Sequence, residues 1–208
     1  MTRKNRYMGE IDHGLEASTR RAEARREALM QSLPEEFQQR ENHLPARLRA
    51  ENASAQSKLG RIYALVDEFS SLRTSHVACG KGCSDCCRMN VQISIVEAAR
   101  IERGTGHRAR FLANTVTHDN AKFAGVSFPS LHEEVCLIYE HRPYVCRNHA
   151  SFDIDAYWCD PVRMQSIEVP RIEMSGAKEA LLDVLRSSKH AVVAAIRDFF
   201  PEKFERDA

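Results

Sequence analysis

Cys79-Gly80-Lys81-Gly82-Cys83-Ser84-Asp85-Cys86-Cys87 places four of the chain's seven cysteines within nine residues, two of them adjacent. Thiolates are soft ligands for zinc, copper(I) and iron–sulfur clusters, and short spacings let one tight loop present several sulfurs to one site. Gly80 and Gly82 allow the backbone to turn sharply between the flanking cysteines. Cys83-x-x-Cys86 has knuckle spacing, in which one turn delivers two thiolates to one metal, and Cys79 joins from the other arm of the loop. Cys86 and Cys87 are harder to place together, because neighbouring side chains diverge, most of all in extended chain. Either one binds while the other packs, or each serves a different metal, or a multi-iron cluster takes both.

The remaining cysteines, Cys136, Cys146 and Cys159, lie far along the chain. The first two sit in Cys136-x2-Tyr139-x2-Arg142-Pro143-x2-Cys146-Arg147, close enough for a short turn to bring both to one site. The opening stretch is therefore expected to be half of a site that Cys136 and Cys146 complete. A metal ringed by thiolates carries negative charge, which Arg142 and Arg147 are placed to offset; otherwise they are ordinary surface ion-pair formers. Tyr139 either donates to a sulfur or packs. Cys159 is spaced for ligation, although Trp158 and Asp160 beside it add no second signal. His76, His141 and His149 lie near cysteines without zinc-finger spacing.

The run Cys79-x3-Cys83-x2-Cys86-Cys87-Arg88, then Glu97-Ala98, then Cys136 through Arg147, resembles the YkgJ-type CxxCxxCC family of small bacterial proteins, described as zinc- or iron-chelating. The resemblance covers residues 76–160 and implies ligands at Cys79, Cys83, Cys86, Cys87, Cys136 and Cys146. Two departures are visible: the first interval is three residues rather than two, and Asn148-His149 follows Cys146-Arg147 where an aromatic–proline step is expected. A similar cysteine domain occurs in flagellin lysine methylases, where an iron–sulfur cluster is associated with it. Zinc and an iron–sulfur cluster are thus both implied cofactors.

Composition bounds the remaining possibilities. The 208 residues are 43% hydrophobic and 28% charged, with a net charge of +1. That balance suits a globular chain and gives no global case for nucleic acid or an anionic membrane. No apolar run approaches the ~20 residues of a membrane-spanning helix. The basic start, Met1 to Met8, has no apolar run behind it, so a cytoplasmic location is expected. In a reducing compartment, clustered cysteines are metal ligands or catalytic thiols sooner than a disulfide frame.

The fold expected is mainly α with short irregular strands: a small metal-stabilised cysteine-cluster domain flanked by N- and C-terminal helices. Residues 1–14 are expected to be disordered, and Leu15–Ser32 a charged, solvated helix stopped before Pro34. Its arginines, Arg20, Arg21, Arg25 and Arg26, are interleaved with acids, so an exposed face is expected rather than a polyanion site. Pro45 suits a helix start, and Leu48, Ala55, Leu59, Ile62, Val66 and Phe69 form one stripe of a helix running to Leu72. The domain boundary is placed there, with 1–44 a flexible, charged helical extension and 45–208 the metal-binding domain. Met89–Ile93 alternates as a strand, and Ser94 with Glu97 forms a capping box opening a helix that Gly104 and Gly106 end. Further helices are expected over Arg108–Thr117, after Pro143, and over Lys178–Phe200, the last stopped by Pro201.

Three functions fit the sequence: a metal-binding module, a cluster-dependent redox or methyltransferase-associated enzyme, or an adaptor whose N-terminal helices bind a protein partner. The chain has no glycine-rich nucleotide loop and no nucleophile–base pattern, which weighs against the enzyme.

Overall fold

The computed structural model describes residues 11–80, 82–119, 122–168 and 170–204. The expectation for residues 1–10 lies outside these. The chain is mainly α with short strands. Its helices are α1 (Leu15–Ser32), α2 (Glu35–Ala50), α3 (Ala55–Leu72), α4 (Ile95–Thr105), α5 (Tyr144–Asn148), α6 (Ser175–Arg186) and α7 (Ile196–Phe199). Strands β1 (Gln92–Ser94) and β4 (Val193–Ala195) pair antiparallel, with Ile93 opposite Ala194. Strands β2 (Leu131–His132) and β3 (Val135–Cys136) form a hairpin, with Leu131 opposite Cys136.

Two apolar cores result. The first is helical and joins Leu29 of α1, Phe37 and Leu44 of α2, the α3 stripe, and Ala177 and Val184 of α6. The second gathers Ile93, Ile101, Ala194, Ile196 and Phe199 around the β1–β4 pair, together with Phe128, Ile138 and Cys87. The apolar residues of α3 that a partner-binding helix would offer, such as Leu59, Ile62 and Val66, are fully enclosed in the first core.

Several sequence expectations need correction. Pro45 does not open a helix; it lies inside α2, so the expected boundary between residues 44 and 45 cuts an element that packs on the core. The expected single helix to Leu72 breaks at 51–54, because the Ser54 hydroxyl caps a new one by accepting from the Ser57 amide at 3.2 Å. Helix α1 is not merely solvated, since Ala22 and Leu29 are buried. Residues 108–117 form no helix. Their amides bond elsewhere, Arg110 to the Phe199 carbonyl and Val116 to the Val193 carbonyl, and Phe111 is exposed. The expected Lys178–Phe200 helix stops at Arg186. The Ser188 hydroxyl there bonds the Leu185 and His190 carbonyls, and the β-branched Val192 and Val193 lead into β4. Periodicity alone did not separate a helix face from a buried strand in that run.

The Ser94–Glu97 capping box stands as expected, and Gly106 ends α4 at φ 75°. Glu97 does more than cap. Its carboxylate accepts from the Ser94 amide and hydroxyl, the Tyr63 hydroxyl and the Tyr144 amide, joining α3, α4 and α5.

The start of α1 is tied to the segment behind the cysteines. Arg21 donates to both Asp153 oxygens, at 2.9 and 3.3 Å, and the Trp158 indole donates to Ser18 at 2.9 Å. Burial alone would raise the Asp153 carboxyl. The Arg21 guanidinium, the Ile154 amide and the Ser18 hydroxyl outweigh it and hold the carboxyl below its ordinary range. A folded value below the unfolded one means stability that is whole above the unfolded pKa of ~3.9 and lost as pH falls through the folded value. Asp153→Asn should therefore shrink the drop in melting temperature between pH 6 and pH 3. An unchanged drop would show that this carboxylate does not carry the acid sensitivity.

Candidate metal centre

The cysteine loop folds as its glycines require. The Cys83 amide donates to the Gly80 carbonyl at 3.0 Å, and Gly82 sits at φ 90°, a region that side chains rarely adopt. Lys81 lies outside the described residues. Asp85–Arg88 then forms one 3-10 turn, closed by the Cys87 amide on the Ser84 carbonyl. In this turn Cys86 and Cys87 both line one cavity rather than diverging, because the backbone is helical and not extended.

The second half of the cysteine set is latched to this turn. Strands β2 and β3 are joined by Glu133 and Glu134, at φ 47° and 64°. Two-residue hairpins of this kind favour asparagine and glycine, so two glutamates there hold a strained backbone. Glu134 accepts from Ser84 and Arg88, and the Phe128 amide donates to the Cys87 carbonyl at 2.8 Å. These contacts bring Cys136, at the end of β3, to the cavity that Cys87 lines. Cys146 is delivered by α5, whose first amide is held by Glu97.

One cavity of about 310 Å³ is lined by Cys79, Cys83, Cys86, Cys87, Cys136 and Cys146. Cys159 does not line it. It is buried outside the cavity lining. His149 faces the cavity, whereas His76 and His141 do not line it.

The electrostatics favour thiolates at two positions. Cys79 is lowered to about 6, first by the Cys159 thiol, against burial, with further help from the Ser151 amide and Arg73. That amide donates to the Cys79 sulfur at 3.2 Å. Cys136 is lowered to about 7, first by the Cys87 thiol, then by the Ile138 amide and Arg142. Burial pushes Cys83 and Cys146 upward. Burial also lowers His149 to about 4, helped by Arg73 and Arg171, so its imidazole is neutral near pH 7 and is a potential donor.

Three arginines, Arg73, Arg142 and Arg147, line the same cavity. Arg142 stacks over Tyr139 at 4.0 Å and favours charge on Cys136 and Cys146. Arg147 instead donates to both Asp67 oxygens at 2.6 Å and to the Glu140 and Arg142 carbonyls, with its guanidinium over Tyr63. It fastens α5 to α3 while lining the thiol cavity, and Arg73 lines that cavity beside it. Arg73 is lowered by burial to about 10 and stays protonated near neutral pH. It donates to the carbonyls of Asn148, Arg147 and His149 and faces Cys79. Neither Arg73 nor Glu134 carried a signal in the sequence. Each is one of many charged residues until the fold places it.

The donor set fits a thiophilic metal: soft sulfurs from two segments around one cavity, with buried cations and a backbone N–H turned toward them. As they stand, among the described residues no three His, Cys, Asp or Glu side chains converge closely enough to clasp an ion.

Residues 78–162 match the CxxCxxCC family model, described as "Putative zinc- or iron-chelating domain". All seven cysteines fall within that segment. No curated protein and no solved structure matches the chain. No helix among the described residues is long and apolar enough to cross a membrane.

Proposed function

We propose that this protein is a thiolate metal-binding protein, holding zinc or an iron–sulfur cluster through Cys79, Cys83, Cys86, Cys87, Cys136 and Cys146, with Cys159 in the same thiol network. One observation carries this: six cysteines from two distant segments face a single cavity. Bound metal would supply a structural cross-link between the cysteine turn, β3 and α5. The chain's own residues prepare the site. Glu134 latches the two halves, Glu97 fixes the start of α5, and Arg73 and Arg142 favour the deprotonated sulfurs.

Elemental analysis of protein purified without oxygen tests the proposal. Stoichiometric zinc, or iron with sulfide, is expected, and Cys86→Ser should release most of it and lower the melting temperature. Metal-free wild-type protein, or full metal retention by Cys86→Ser, would overturn it.

A second possibility, a cluster-dependent enzyme, is favoured by one feature. A cleft of about 780 Å³, with Arg88, Met89 and Met164 in its walls, shares His149 with the thiol cavity. Any small molecule bound there would lie beside the metal centre.

A further inference from the structure

We infer that α1 is a positioning element of the metal centre: Arg25, with Arg21 and Ser18 on the same helix face, fixes the arm of chain that carries Cys79. This deepens the proposed thiolate metal site and rests on it.

Ser18, Arg21 and Arg25 recur at helical spacing and so share one face of α1. That face grips two segments. Arg25 donates to the His76 carbonyl at 3.1 Å and to the Ser75 carbonyl at 3.2 Å, in the turn just before Cys79. Arg21 and Ser18 hold the stretch before Cys159, through Asp153 and the Trp158 indole. The two segments are also bonded to each other. The Ala78 amide donates to the Ser151 carbonyl at 2.9 Å, and the Ser151 amide donates to the Cys79 sulfur at 3.2 Å. Cys79 therefore sits at a junction that α1 spans.

Cys79 needs such support more than most of its partners. A 3-10 turn carries Cys86 and Cys87, β3 carries Cys136 and α5 carries Cys146. Cys79 lies in no helix or strand. The chain after it offers little hold, because a Cβ at Gly80 or Gly82 would meet nothing within 4 Å, and glycines in open space leave a loop compliant. Its position is set from the residues before it and from Ser151.

Arg25 is suited to this task and to no direct contact with metal. Its planar fork reaches two successive carbonyls, which a lysine ammonium does not reproduce. It does not line the thiol cavity, so it acts on a metal through the backbone that leads to Cys79. Holding a ligand in place before the metal arrives removes an ordering cost from binding. Helix α1 also lies wholly before the matched segment 78–162, so the chain's own N-terminal helix completes a site that the segment carries.

The test is the rate of metal release from the full chain, purified without oxygen, loaded with zinc and mixed with 4-(2-pyridylazo)resorcinol well below the melting midpoint. Where the protein carries an iron–sulfur cluster, the loss of its visible absorption under a chelator gives the same rate. Outer groups that orient a metal ligand change metal affinity by about 10–100-fold when removed, so Arg25→Ala should release metal about 10-fold faster. Arg25→Lys should fall between it and wild type, and decides alone if the alanine variant does not fold. Arg20→Ala, at an exposed ion pair with Glu16 on the same helix, should release at the wild-type rate. Val184→Ala, in the helical core on α6, should lower the melting midpoint and also release at the wild-type rate. Wild-type release from the Arg25 variants, or the same acceleration in Val184→Ala or Arg20→Ala, overturns the positioning role and leaves the metal-binding proposal standing. Wild-type protein that takes up no zinc and contains no iron overturns both.

Discussion

Glu97→Ala should cost about 3 kcal/mol or more of unfolding free energy, because it strands buried donors on three helices at once. The side chain is 4% exposed. It accepts from Tyr63 on α3, from Ser94 at the start of α4 and from the Tyr144 amide at the start of α5. Alanine leaves the tyrosine hydroxyl and the Tyr144 amide without this acceptor in a dry interior, and opens a cavity as well. Helix α4 also loses half of its capping box. Since α5 carries Cys146, metal retention should fall along with stability. Glu97→Gln keeps the shape but turns a donor toward a donor at one end, so an intermediate loss is expected. Urea unfolding measures both, and a loss below about 1 kcal/mol for the alanine variant would contradict the assigned role.

Gly176→Ala should be the second severe substitution, with a cost of about 1–3 kcal/mol or somewhat above from forced separation of packed helices. A Cβ at Gly176 would stand 2.1 Å from the backbone oxygen of Glu41, an approach that no side-chain rotation relieves. The contact has a specific origin. Pro45 lacks the N–H that would have bonded the carbonyl four residues earlier in α2, and that carbonyl belongs to Glu41. Helix α6 closes over this point with a residue that has no side chain. The Glu41 carboxylate then accepts the Ala177 amide at 2.9 Å, serving the first turn of α6 from a neighbouring helix. Thermal unfolding of Gly176→Ala should show a clearly lower midpoint, with metal content per folded molecule kept, since the contact lies in the helical core. Wild-type-like stability would mean that the two helices separate without penalty.

These two residues mark where sequence stopped being sufficient. Glu97 was legible as half of a capping box because both partners lie within one turn. Its bonds to Tyr63 and Tyr144 were not legible, since nothing local pairs residues so far apart. Pro45 reads as a helix start and Gly176 carries no signal of its own; only the packing of α6 on α2 shows that one accommodates the other. The α3 stripe and the Gly106 stop were readable because helical period and left-handed backbone leave direct marks on sequence. The run after Arg186 was not, because apolar residues there serve β1 across the chain rather than one helix face.

The candidate site divides along the same line. Residue chemistry and spacing alone pointed to thiols gathering at Cys79–Cys87, to Cys136 and Cys146 beside them, and to glycines bending the loop. Tertiary structure decided the rest. It turned Cys86 and Cys87 toward one cavity through a 3-10 turn and buried Cys159 outside it. It paired Arg147 with Asp67 at the wall of the cavity and added Arg73 to that wall. The physical reason is range: ligand softness and loop bending act within a few residues, whereas a charge is assigned to a partner only when packing decides which groups are buried together.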